Sequence, residues 1–181
     1  TVTENTTFTA KYDKTKNKYK ITFYNDDKTE ILGDTEVEYG ENADSSSIVP
    51  TKNDENGYSF TFEKWVNEDG EDDDLSNVIA NRNVYAKYTK TPITYNIEYV
   101  DTFGADNSKN PTTYTVEDAE ITLEPLESKI GMTFKGWYTN TDYTDKVESI
   151  ITSKMENIKV YAKWDIEKLM YFVKVDANVD N

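Results

Sequence analysis

The sequence predicts a mainly β chain, all-β or α+β in class, made of two small tandem repeat domains with little helix. Three observations carry that expectation. One strand-like pattern occurs three times, as Phe8-Thr9-Ala10-Lys11-Tyr12, Val84-Tyr85-Ala86-Lys87-Tyr88 and Val160-Tyr161-Ala162-Lys163-Trp164. The interval is constant, 88 − 12 = 76 and 164 − 88 = 76, and a fixed register over that distance marks a repeated structural unit. Within each copy an apolar residue, an alanine and an aromatic alternate with polar residues and a lysine, the period-two signature of a half-buried strand.

Taken in order, the elements are as follows. Residues 8–12 match only the last strand of a repeat, so the chain reads as a segment of a longer protein whose preceding repeat closes over residues 1–17. A six-residue polar connector, 13–18, leads to Tyr19, Ile21 and Phe23, which alternate as the opening strand; one period later Tyr95, Ile97 and Tyr99 do the same. Asn25-Asp26-Asp27 is a turn, and Val37-Glu38-Tyr39-Gly40 is a strand ending at its glycine. The counterpart Tyr114-Thr115-Val116-Glu117 lies 77 residues on, the slip being one residue inserted between Gly104 and Asn110. A third strand runs from Tyr58 to Trp65, matched by Met132 to Tyr138, so that Phe62-x-x-Trp65 aligns with Phe134-x-x-Trp137.

Before each closing strand, Leu75, Val78 and Ile79 in one copy and Val147, Ile150 and Ile151 in the other have near-helical spacing, which suits a short helix or a tight apolar turn. An Asn precedes each closing strand by three residues, at Asn5, Asn81 and Asn157, where tolerance of left-handed backbone suits a turn. Six-residue connectors follow each closing strand, and after the last of them Tyr171, Val173 and Val175 open another repeat. The resulting domains are 18–91 and 92–167, with 168–181 the start of a following repeat. The strands at both ends need partner sheets, which neighbouring repeats or other molecules would supply by strand pairing.

Thirty-five acidic against 20 basic residues give a net charge of −15. Such a surface repels phosphate backbones and anionic headgroups, which argues against nucleic acid as a partner. No apolar run is long enough to insert into a membrane. Cysteine and histidine are absent, so thiolate nucleophiles, imidazole bases and the usual zinc ligands are missing. No carboxylate pair is fixed between glycines or aromatics in the manner of an acid-base site. The chain therefore presents no catalytic residue, and no cofactor or metal site is assigned. The acidic run Glu68 to Asp74 lacks the alternating ligand spacing of a calcium loop and reads as solvated. An intramolecular Lys-to-Asn or Lys-to-Asp isopeptide bond is a covalent alternative that intact mass would reveal.

Trp65 and Trp137 recur in register with core strands, opposite small alanines, and belong to the core. Aromatics not shared between the copies, Phe103, Tyr138 and Tyr143, are the candidate ligand contacts. The Asn5-Thr6-Thr7 triplet formally matches a glycosylation acceptor, but its Asn is already explained as a turn.

Together, Tyr-x-Ile-x-Phe/Tyr, Phe-x-x-Trp and Val-Tyr-Ala-Lys-Trp/Tyr resemble the Listeria/Bacteroides repeat, also called the internalin-type B repeat. Phe134-Lys135-Gly136-Trp137-Tyr138 with Val160 to Trp164 is the closest match; the first copy departs from it with Lys64 in place of the glycine and Tyr88 in place of the terminal tryptophan. The resemblance implies a small β-grasp-like, ubiquitin-like sheet, an extracellular or bacterial cell-surface (cell-wall) setting, and a stalk, spacer or adhesion role without catalysis. It supplies no binding residues. A spacer that presents other domains is the leading expectation; the alternative is an adhesion module that contacts host extracellular protein or glycan.

Overall fold

The computed structural model describes residues 3–5 and 7–168. It is nearly all β. The chain divides into two compact units: one runs through Asn53 and resumes over Phe60–Lys90, the other takes Asp54–Ser59 and the chain from Thr91 onward.

The first unit is a four-stranded sheet of β1 (Lys18–Tyr24), β2 (Ile31–Glu38), β3 (Tyr58–Val66) and β4 (Arg82–Pro92), in the order β2-β1-β4-β3. β1 and β2 form an antiparallel hairpin, whose turn is tied by Asp27 Oδ1 accepting the backbone N–H groups of Thr29 and Glu30. β1 and β4 are parallel, with Phe23 opposite Val84, and a parallel pair requires the long crossover that the intervening residues provide.

The second unit repeats this plan. β5 (Tyr95–Val100), β6 (Thr113–Tyr114), β8 (Met132–Tyr138), β9 (Lys146–Val147) and β11 (Ile158–Ile166) form a sheet in the order β6-β5-β11-β8-β9, again with a central parallel pair, β5 and β11. A two-stranded ribbon of β7 (Ile121–Thr122) and β10 (Ser149–Ile150) stands beside it.

Equivalent residues build separate cores. Ile21, Trp65, Val84 and Ala86 are buried in the first, and Ile97, Trp137, Val160 and Ala162 in the second. Trp65 is 6% exposed and Trp137 2%, and Ala162 lies directly opposite Trp137 across the β8/β11 ladder. The alanine leaves room for the indole, which stacks edge-on against Tyr99 at 5.1 Å and donates its N–H to the Glu124 carbonyl at 2.9 Å. Burial of a ring of this size dominates the stability of so small a sheet.

Residues 8–12 belong to no described sheet, with Phe8 85% and Tyr12 84% exposed, so the partner expected from a neighbouring repeat or another molecule is not supplied by the described residues. An alternating pattern makes a strand only when a neighbouring edge completes its hydrogen bonds, and no described strand pairs with this segment. Its counterpart, Tyr171 to Val175, lies outside the described residues.

Three other expectations are corrected. The short helices are absent: among the described residues the only helical element is a 3₁₀ turn at Thr152–Lys154. In the first unit, Asn67 Oδ1 accepts N–H groups from Asp69 and Glu71, Asp73 accepts from Leu75, and Asp74 accepts from Ser76. These local bonds compete with helical ones, and Leu75 and Asn77 at positive φ complete an irregular path that still buries Leu75 and Val78.

Asn81 and Asn157 do not serve through left-handed backbone either, since neither has positive φ. Each side-chain carbonyl instead accepts the backbone N–H of the opening strand, from Lys20 and from Asn96 respectively, both at 2.8 Å. The same bond in both copies fixes the start of each parallel pair.

Finally, the connector between the repeats is shorter than six residues. β4 continues to Pro92 and β5 begins at Tyr95, leaving two residues between them.

Candidate functional site

Of the three candidate aromatics, Tyr143 bonds Asp101 just past the end of β5 and packs on Tyr138, while Phe103 lies on Trp164, whose indole N–H also reaches Asp101. Asp101 has φ +60°, a conformation that a non-glycine residue adopts only at a cost, and Phe103 two residues later has φ +48°. This reversal aims the Asp101 carbonyl at the Trp164 indole N–H, which donates to it at 2.8 Å, and turns Phe103 onto the Trp164 ring at a centroid distance of 6.4 Å. Phe103 is 60% exposed.

Tyr143 approaches from the loop after β8, also in left-handed backbone with φ +54°. Its hydroxyl donates to Asp101 Oδ2 at 3.1 Å, and its ring meets Tyr138 edge to face at 5.7 Å and 89°. Two of the residues at positive φ, Asp101 and Tyr143, are thus bonded to each other, and Phe103 is held against Trp164. Lys163 on β11 lies over both tyrosines, its Nζ 5.3 Å from the Tyr138 ring and 5.8 Å from the Tyr143 ring. Partial burial, then the hydrogen bond to Asp101 and its negative charge, push the Tyr143 phenol up from its ordinary value, so it stays a neutral donor near pH 7.

Reading the aromatics that the copies do not share found Phe103, Tyr138 and Tyr143, but not what gathers them. Nothing local in the sequence marks Asp101, and Lys163 and Trp164 belong to the repeated closing strand. The one signal was alignment: Asp101 stands where the first copy has Asn25, and Trp164 where it has Tyr88. That pair is also bonded, Tyr88 donating to Asn25 Oδ1 at 2.7 Å. Chemically the cluster offers ring surface. Its carboxylate and its hydroxyl are spent on each other, which is the opposite of an acid or base poised for proton transfer.

The acidic run is likewise engaged internally. Asp72 pairs with Lys64 at 2.8 Å and Asp73 with Arg82 at 3.0 Å, while the loop turns at Gly70 with φ +82°. Among the described residues no group of three or more acidic side chains converges in a way that could hold a metal ion.

Comparison with known proteins agrees with this two-copy architecture. The model of the Listeria-Bacteroides repeat domain matches twice, over residues 19–87 and 95–163. A protein of Evansella cellulosilytica described as a Gly-rich membrane protein is 27% identical over 182 aligned residues, which is 98% of this chain and 19% of that protein. A second, described as a membrane protein of the same organism, is 31% identical over 81 residues, 44% of this chain and 12% of its own length. The chain therefore spans less than a fifth of either relative. Among solved structures, domains 3–4 of the Streptococcal High Identity Repeats in Tandem from a cell surface protein align over 82% of this chain and 98% of theirs, at 15% identity and a TM-score of 0.37. With both of its copies matched from opening to closing strand, the chain belongs to the Listeria-Bacteroides repeat family.

Proposed function

We propose that this chain is a non-catalytic tandem segment of a bacterial cell-surface protein, a spacer that extends or presents other domains. The observation that supports it best is what the two copies have in common. The shared positions are the indole, the alanine beneath it, the strand-starting asparagine and the central parallel pair, all of them structural. Repeats kept alike only in their cores suit a role in which length counts and surface chemistry is free to vary.

In this reading residues 18–91 and 92–167 are the two beads. Each is β-grasp-like, with an irregular crossover where a helix would be grasped; the order β2-β1-β4-β3 with a parallel centre supports that assignment. A net charge of −15 would keep such a rod soluble and self-avoiding at the cell wall. The test is replacement in the parent protein by an unrelated pair of domains of equal length. A spacer role expects the distal domain to keep its reach and activity; loss of either refutes it.

A second reading, adhesion to host protein or glycan, draws support from the exposed Phe103 ring beside Trp164. Specific binding on a matrix-protein or glycan array, lost in Tyr138→Ala and Tyr143→Ala, would establish it, and a blank array would end it.

A further inference from the structure

Residues 54–59, which turn into β3, belong to the second unit, and their packing there is specific. Glu55 and Tyr58 exchange both backbone hydrogen bonds, at 3.0 Å each, closing a two-residue turn over Asn56 and Gly57. A hairpin tip is ordinarily the most exposed part of its strands. Gly57 is instead buried, with Val116 and Met155 against it. A Cβ on Gly57 would stand 2.2 Å from Val116 Cγ1 and 3.2 Å from Met155 Cγ, so only a glycine, here at φ +78°, can come so near. Beside it the Tyr58 hydroxyl donates to Glu117 Oε1 at 3.2 Å. The second unit thus seats a glycine-tipped turn on Val116 and Met155.

The first unit has the same seat, and it is open. The register that matches Tyr114 to Val37 puts Tyr39 in the place of Val116 and Gly40 in the place of Glu117. Ile79 stands for Met155, two residues before the strand-starting asparagine in each copy. Gly40 N–H donates to the Val78 carbonyl at 2.8 Å, which holds the two stretches side by side. Tyr39 is 54% exposed and Ile79 53%.

A turn of the same kind also stands at the end of β8 in the second unit. Lys129 and Met132 exchange both backbone bonds, at 2.8 and 2.9 Å, around Ile130 and Gly131, with the glycine at φ +76° and Ile130 91% exposed. Open seat and open turn differ from the filled pair in matching ways. β8 has 7 residues where β3 has 9, so this turn reaches about 7 Å less far at roughly 3.3 Å per residue, and the seat offers a longer tyrosine in place of valine. Met132 replaces Tyr58 and Gly40 replaces Glu117, so the hydroxyl and the carboxylate of the filled pair are lost from both halves together.

We infer that Tyr39 and Ile79 are the docking site for the glycine-tipped turn of a further repeat joined in series ahead of residue 18, the turn at 129–132 being of the kind that fits. Size favours a neighbour in series over a separate molecule. One turn on two side chains covers far less than the roughly 1,000 Å² that stable association of free partners needs, whereas a short connector supplies an effective concentration of about a millimolar. The inference goes beyond the spacer reading and stands or falls independently of it.

The experiment is disulfide trapping in an in-register duplicate of the whole chain, residues 1–169 followed by residues 18–181, since 169 − 17 = 152 is two periods of 76. The chain has no cysteine of its own, so every thiol is an introduced one. Ile130→Cys in the first copy is combined with Ile79→Cys in the second; the comparison pair replaces the latter with Val49→Cys. Val49 is 75% exposed, and its neighbour Ile48 packs on Gly33 at the other end of β2. A disulfide needs Cα atoms within about 7 Å, so docking should make the Ile79 pair close about tenfold faster than the Val49 pair under oxidised glutathione. Gly131→Ala in the first copy, or Tyr39→Ser in the second, should each slow that closure about threefold or more, with thermal melts confirming that the units remain folded. Equal rates for the two pairs overturn the proposal. So does closure of Ile130→Cys with Ile79→Cys between separate single chains as fast as within the duplicate, which would assign the seat to another molecule.

Discussion

Trp137→Ala tests whether the two cores are energetically separate. The side chain is 2% exposed, lies against Tyr99 at 5.1 Å and Phe134 at 5.4 Å, and donates to the Glu124 carbonyl. Truncating a buried tryptophan costs about 3–5 kcal/mol in lost transfer energy and residual cavity. Leaving the Glu124 carbonyl without its donor adds about 1 kcal/mol. A domain of this size is stable by roughly 4–11 kcal/mol, so the second unit should lose most or all of its stability.

The first unit shares none of these contacts, since its core is built on Trp65. Fluorescence-monitored urea unfolding of the full chain should show the Trp65 transition at its original midpoint. Emission from Trp164 should be shifted to the red before any urea is added. Trp137→Phe, which retains a ring but no N–H, should fall between the variant and the parent. If the Trp65 midpoint moves with the second unit, or if Trp137→Ala costs less than about 1 kcal/mol, the reasoning from separate cores fails.

Four other outcomes are expected. Asn157→Ala should cost the second unit about 0.5–1.5 kcal/mol, because Asn96 N–H loses its acceptor at the start of the parallel pair, while Asn157→Asp should keep most of that stability; denaturant midpoints for both variants check this. Gly136→Ala should destabilise by about 1 kcal/mol in the same assay, since φ is +134°, a conformation L side chains rarely adopt, whereas Lys64→Ala at the matching place should lose only its exposed ion pairs with Asp72 and Glu63. Burial raises the Tyr99 phenol to about 12, and because the folded state favours the neutral form, its contribution to stability is complete below pH 10 and is lost as the pH rises toward 12; ultraviolet titration should show one tyrosine ionising late, and Tyr99→Phe should remove that late step. Backbone and side-chain hydrogen bonds hold the Asp27, Asp44, Asp74 and Asp106 carboxyls low, so their turns should support folding above the ordinary carboxylate range and lose that support as the pH falls through their depressed values, which acid titration followed by NMR would register.

Where sequence reasoning succeeded, the signal was local and repeated. Tyr19, Ile21 and Phe23 are a strand in any setting that buries one face, and the structure places that strand at Lys18–Tyr24. Where it fell short, a partner decided the outcome. Phe8 to Tyr12 has the same alternation as Val84 to Tyr88, yet only the latter has neighbours to hydrogen-bond. Leu75 and Val78 have near-helical spacing, but the surrounding aspartates and asparagines cap individual N–H groups before a helix can propagate. The asparagines before the closing strands were found by position and misread by mechanism, because their bonds reach residues 61 positions away.

By itself the sequence determined the β class, the two-copy plan, the core tryptophans facing alanine, and the poverty of catalytic groups, because each of these follows from periodicity, register or composition. Only the tertiary structure decided that Tyr143 bonds Asp101 and packs on Tyr138, and that Phe103 lies on Trp164. Those outcomes depend on backbone reversals at positive φ and on side chains from separate stretches arriving together, and the spacing of residues along a chain does not encode where its loops return.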